Sequence, residues 1–266
     1  MQTLLVVISN DRWSDAVMEQ SIILAHHFEA KIILLHTIHV PFWDLPRYKE
    51  EMPLDRTLVQ GELEGKMKAL MGEVLIDFYT LVYFGEVTDQ AILEAKREHV
   101  DLIVSSPTIN VERFVTEVFK PLILVRNQSH DYKKIVIPTD LSDRSKVAIA
   151  YTKRVFQGAD IQLLYCYESM VVMNGLYDMA YHEMENFQEE NQKIAFNLFE
   201  KFKADVGLEG TFVVAPEALY QGVLEGIEGM DPDLVVVARG RHEGLSFGSV
   251  SAYIARETPR DVLVYG

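Results

Sequence analysis

Basic residues are scarce in this chain. Its 266 residues include 25 Lys and Arg against 40 Asp and Glu, a formal net charge of −15. The deficit is shared evenly, with 12 basic and 19 acidic residues in 1–130 and 13 and 21 in the remainder. Both halves therefore repel a phosphate backbone, and no nucleic-acid partner is expected. Cysteine is almost absent. A single Cys166 excludes an intramolecular disulfide and a cysteine-rich zinc site. Its place in IQLLYCY, with no flanking base or cation, reads as a buried small hydrophobe. No run approaches the ~20 apolar residues of a membrane span. The leading MQTLLVVISND lacks the basic region and cleavage site of a signal peptide. The expectation is a cytoplasmic protein with no membrane partner. Catalytic signatures are missing as well: there is no G-x-S-x-G, no P-loop and no H-E-x-x-H. No catalytic residue is assigned, and no enzyme is expected.

What the chain does contain, it contains twice. AKIILLHTIH at 30–39 returns as ADIQLLYCYE at 159–168, and VVISND at 6–11 returns as IVIPTD at 135–140, both at a shift of 129 residues. VDLIVSS at 100–106 returns as PDLVVVA at 232–238. A period this long is a duplicated domain and not a solenoid repeat. Two domains follow, 1–127 and 131–266, each of a size that buries its own core. The polar stretch 126–133 reads as the linker.

Continuous apolar runs mark the strands, as in parallel sheets buried on both faces. In the first half they are LLVVIS (4–9), KIILLHTI (31–38), LIDFYTLVYF (75–84), DLIVSS (101–106) and PLILV (121–125). In the second they are KIVIP (134–138), IQLLYCY (161–167), GTFVVA (210–215), DLVVVA (233–238) and DVLVY (261–265). Helical spacing fills the gaps between them. Ser14 is placed to cap the first helix, whose inward stripe runs through Val17, Ser21, Leu24, Ala25 and Phe28. The result is an α/β fold, two tandem open five-stranded parallel sheets with helices on both faces. In such sheets ligands bind beyond the carboxyl ends of the strands, where the strand order reverses.

Three places in each half meet that condition. After strand one stands Asp140, matched in the first half by Asp11, either a ligand acceptor or a turn acid. After strand four the second half runs Ala238-Arg239-Gly240-Arg241-His242-Glu243-Gly244-Leu245-Ser246-Phe247-Gly248-Ser249-Val250. Its glycines allow close approach of an anion to the backbone, and Gly248-Ser249 opens a helix whose N–H groups suit a phosphate. Arg239 and Arg241 supply countercharge. The first-half counterpart, Ser105 to Phe114, has no glycine and carries Glu112. At the end of strand two, odd spacing points His36 and His39 to opposite faces, so no metal site is assigned. The aromatic and Met-rich segments, 40–43 and 170–184, read as helix packing or as an apolar pocket or partner surface.

Strand–Asp–helix at the front, then DLVVVA, a glycine loop, GSV and a closing VLV strand, resembles the universal stress protein family, over nearly the whole chain and twice. The resemblance implies that the halves pack as a pseudo-dimer through their fifth strands, PLILV and DVLVY, each otherwise a bare apolar edge. It also implies a bound ATP or AMP in the C-terminal half, held by Asp140, Ala238, Gly240, Gly244, Gly248, Ser249 and Val250. Asp140 and Gly248-Ser249 match the family's Asp and final Gly-Ser pair. The rest of Gly-2x-Gly-9x-Gly-Ser/Thr does not, because Ala238 and Val235 stand where its first glycines belong. Nor do the SGGxDS or HxGH signatures of adenylate-using enzymes occur. Two readings follow. One is a stress-response regulator sensing an adenine nucleotide or another small molecule; the other is a nucleotide-independent interaction protein, or a binder of an apolar metabolite, with a decayed ATP site. Association of further chains stays open.

Overall fold

The computed structural model describes residues 1–9, 11–39, 52–168, 181–215, 218–239 and 248–265. The first repeat contains β1 (Thr3–Ile8), α1 (Ser14–Phe28), β2 (Lys31–Ile38), α2 (Met52–Met71), β3 (Phe78–Phe84), α3 (Val87–Arg97), β4 (Leu102–Ser105), α4 (Val111–Glu117) and β5 (Leu122–Leu124). The second contains β6 (Lys134–Pro138), α5 (Asp143–Val155), β7 (Asp160–Glu168), α6 (Tyr181–Val206), β8 (Glu209–Ala215), α7 (Leu219–Met230), β9 (Leu234–Ala238), α8 (Ser249–Glu257) and β10 (Asp261–Tyr265). Contacts divide the chain into two compact units. One holds Met1–Asp131 together with the chain end from Pro259; the other holds Tyr132–Arg239 and Ser249–Thr258.

In the first unit the strand order is β3-β2-β1-β4-β5-β10. The five strands of the first repeat run parallel. β10 joins β5 antiparallel, with Val262 opposite Leu124, Leu263 opposite Ile123 and Val264 opposite Leu122. This is the fifth-strand pairing expected from sequence. The second unit orders β9-β6-β7-β8, all parallel. Leu4–Val7, Ile32–Leu35 and Leu234–Val237 are buried along their whole length, which is why these runs lack polar alternation.

A carboxylate at the start of a strand recurs as a fastening. The first N–H groups of a parallel strand lack a ladder partner, and an acid on the adjacent strand can take them. Asp101 Oδ2 accepts from the backbone N–H groups of Gln2 (2.7 Å) and Thr3 (3.2 Å). Asp233 Oδ2 does the same for Lys133 (2.9 Å) and Lys134 (2.8 Å). The fully buried Asp261 accepts from the backbone N–H groups of Arg126 (2.7 Å) and Asn127 (3.1 Å), and Asn127 Nδ2 donates to Pro259 O at 2.9 Å.

Local readings need three corrections. The third strand starts at Phe78, since Leu75 is 97% exposed. Ser14 does not cap α1: it is the first helical residue, and Asp11 Oδ1 takes the Trp13 N–H at 2.9 Å. Phe28, placed on the inward stripe, is only half-buried. The 126–133 stretch carries neither helix nor strand, yet it is fastened along its length. Gln20, fully buried in α1, exchanges two hydrogen bonds with the His130 backbone, and Ser129 Oγ donates to Glu19 at 2.8 Å. Residues 40–43 and 170–180 of the aromatic and Met-rich segments lie outside the described residues. Among the described residues, no helix is long and apolar enough to cross a membrane.

Two substitutions test the β5–β10 edge. A proline at Leu263 interrupts the ladder and is expected to lower the melting temperature by several degrees. Asp261→Ala strands two backbone donors and is expected to cost about 2–3 kcal/mol in urea unfolding. An unchanged melt in either variant contradicts the pairing described.

Candidate functional site

The aspartate after the first strand of each repeat has a different fate in the two halves. Asp11 is saturated. Its Oδ1 accepts from Trp13 N, and its Oδ2 accepts from Ser106 Oγ at 2.6 Å and Thr108 Oγ1 at 2.8 Å. The two hydroxyl oxygens lie 2.7 Å apart, close enough to share their hydrogens among themselves and the carboxylate. Ser106 and Thr108 follow β4, and β1 and β4 are the neighbours between which the strand order reverses. Asp11 therefore stitches together the two loops that flank the first unit's switch point, using its own chain as the donor. His36, at the end of β2, is engaged as well, with Nδ1 2.8 Å from Ile8 O.

Asp140 makes only local bonds. Its Oδ1 accepts from Ser142 N at 3.0 Å and Ser145 Oγ at 2.9 Å, and the Ser142 hydroxyl also bonds the carboxylate. The side chain is solvent-exposed. Partial burial opposes its charge, but the bonds from Ser142 and Ser145 outweigh it and hold the carboxyl below the usual aspartate range. Ser142 caps α5, its side chain accepting from Ser145 N at 3.3 Å. Between Asp140 and Ser142, Leu141 takes φ 61°, a left-handed conformation rare for a branched residue. Thr139 braces it by accepting from Leu141 N at 3.0 Å. Strain of this kind persists where the surroundings impose it, and it often marks a ligand site.

The end of β9 and the start of α8 supply the other wall. Because Val136 lies opposite Val235, β9 ends beside the Asp140 turn. Ala238 closes β9 and its carbonyl accepts from Ser251 Oγ at 2.8 Å, which anchors the first turn of α8 there. Ser249 is the first residue of α8 and Val250 the second, with Gly248 preceding them. Ser249 thus presents a helix-terminal N–H instead of standing outside as a cap. Gly240 and Gly244 lie outside the described residues. Arg239 is half-buried, and burial followed by the charge of nearby Arg144 lowers it from the usual arginine value. Arg144 sits in the first turn of α5, where a helix dipole disfavours a cation. The first repeat carries Asp15 at the matching position, paired with Lys66.

The described residues thus bring together an ionised acceptor, several hydroxyls, two guanidinium groups and a helix N-terminus. That set can hold a ligand with a donor at one end and an anion at the other. Ser145, Ser251, Arg144 and the strained Leu141 were not singled out by sequence. The Asp-Leu-Ser-Asp-Arg-Ser run held the signal for three of them. Cys166 is buried, and burial, followed by the charge of Glu168, pushes its thiol up to about 11, which keeps it protonated near neutrality.

Two outcomes are expected. Asp11→Ala, which severs two loops, costs about 1–2 kcal/mol in urea unfolding and more than Asp140→Ala; the reverse order contradicts the stitch. Asp140 has a folded-state pKa below its unfolded value. Its contribution is therefore present above the ordinary aspartate range near ~4 and is lost as pH falls through the folded value. The Asp140→Ala deficit should be flat near neutrality and shrink in acid, and a deficit unchanged below about pH 3 contradicts this.

The model of the universal stress protein family matches residues 1–106 and 131–266. The first match stops at Ser106, where the glycine-free loop begins. No curated protein matches the chain. Among solved structures, a universal stress protein from Archaeoglobus fulgidus is similar, with a TM-score of 0.65, 16% identity and coverage of 98% of this chain and 97% of that one. A putative universal stress protein from Pseudomonas aeruginosa gives 0.63 at 14% identity, covering 99% and 92%. At these identities the likeness shows the fold. The family match over both repeats shows more: this chain belongs to the universal stress protein family and carries the family's domain in tandem.

Proposed function

We propose that this stress-response protein is a cytoplasmic regulator that responds to an adenine nucleotide, ATP or AMP, bound in its second half alone. The observation that carries this reading is the contrast between the two aspartates. Asp11 is tied to the distant Ser106 and Thr108, whereas Asp140 is exposed, is held ionised by bonds from its own turn alone and reaches no other loop among the described residues. A ribose hydroxyl or an adenine amino group is a donor that such a carboxylate accepts from. Arg239 and Arg144, with the N–H groups of Ser249 and Val250 at the start of α8, favour phosphate at the other end. Ala238, Gly240, Gly244 and Gly248 complete the proposed contact set. The role is binding and not turnover, with the two repeats acting as a pseudo-dimer within one chain.

Calorimetric titration of the full chain with Mg-ATP and with AMP tests this. One site per chain, lost in Asp140→Ala and retained in Asp11→Ala, is the expected result. Silence at millimolar concentrations of both eliminates nucleotide sensing and leaves the interaction-protein reading.

A further inference from the structure

Helix α6 has two apolar faces and needs only one. At about 100° per residue, Ala195, Phe199 and Phe202 share the face that is buried on the second unit's sheet. There Phe199 stacks on Tyr165, centroids 5.6 Å apart, and Phe196 meets Phe212 edge-on at 5.4 Å. Phe187, Ile194 and Leu198 lie about 100° away and are 56%, 51% and 54% exposed. With Asn191 they alternate in steps of four, three and four, the spacing of a helix–helix seam, and Asn191 holds an interior position of it. The corresponding helix of the first repeat does not share this face. In α2, Leu58 is the one large apolar side chain exposed among the described residues.

Charge indicates what covers the seam. Most charges around it are paired at home: Lys193 with Glu189 (3.7 Å), Lys203 with Glu200 (2.9 Å) and Lys146 with Asp205 (3.4 Å). Glu190 and Lys201 remain, one near each end of the seam on the same flank, without an ion pair among the described residues. We propose that α6 is a self-association surface, through which two copies of this chain pair antiparallel about a twofold axis level with Phe196. Ile194 of one copy then packs on Leu198 of the other, and Glu190 of one meets Lys201 of the other. A parallel pair would put these flanks on opposite sides of the seam and leave Glu190 and Lys201 unmatched, whereas an antiparallel pair brings them together, so the charges choose the antiparallel one. The identical copy supplies both the apolar pair, Ile194 and Leu198, and both charge signs. A seam of this size falls at the small end of specific interfaces, so the dimer is weak and reversible.

Sedimentation equilibrium of the full chain from about 1 to 200 µM tests the proposal. The expected result is a monomer–dimer equilibrium whose dissociation constant rises at least ~10-fold in Leu198→Glu. Glu190→Lys and Lys201→Glu should each weaken it about threefold, and the double swap should restore it toward the parent. Circular dichroism melts confirm that the variants fold. A chain that stays monomeric throughout overturns the proposal. So does a dimer indifferent to Leu198→Glu, or a double swap no tighter than either single. A Leu198→Glu variant that melts lower with no change in mass assigns the seam to another segment of the same chain and also overturns it.

Discussion

The antiparallel pairing of β5 with β10 is the constraint on which the first unit depends. β5 is only Leu122–Leu124, and an apolar edge of that length cannot stand in water alone. The end of the chain covers it, after the entire second repeat has been made. Asp261 secures the arrangement by taking the N–H groups of Arg126 and Asn127, a contact across 135 residues in the first case. Asp101 and Asp233 do the equivalent work at the start of their own strands, so one device recurs in three places. The last strand of the second repeat thus closes the edge left by the last strand of the first.

Within that frame the two switch points have diverged. The first unit fills its own with side chains. Ser106 and Thr108 place hydroxyls on Asp11 where a ligand's donors would sit, and the glycine-free loop keeps them there. The second unit keeps its carboxylate charged by local bonds to Ser142 and Ser145, holds Leu141 in a strained turn and gathers Arg144 and Arg239 nearby. The strained Leu141 and the neighbouring cations cost stability while the bonds to Asp140 contribute it, and strain and like charge gathered in one turn are what the proposed ligand site rests on. In the first unit the same positions have become ordinary supports.

Much of this was legible in sequence because it is written locally. Buried parallel strands appear as unbroken apolar runs, and the repeat placed Asp11 opposite Asp140 before any coordinates. The fifth-strand pairing followed from two bare edges. What could not be read is what connects distant residues. No period in the chain links Asp11 to Ser106 across 95 positions, or Gln20 to His130 across 110. The stretch 126–133 reads as a linker because its composition is polar, yet those polar groups are what Gln20, Glu19 and Asp261 hold. Propensity places Ser14 as a cap because serine usually caps, but the helix starts one residue earlier than that reading needs: Trp13 holds the cap position and Val17 N bonds its carbonyl.

The central claim is that a single ligand site survives, in the second unit. Hydrogen exchange on the full chain with and without saturating Mg-ATP tests it most directly. The account predicts slowed exchange at residues 139–145 and 248–252, with residues 11–14 and 106–110 unchanged. Protection at the Asp11 turn, or no protection at the Asp140 turn, would contradict it.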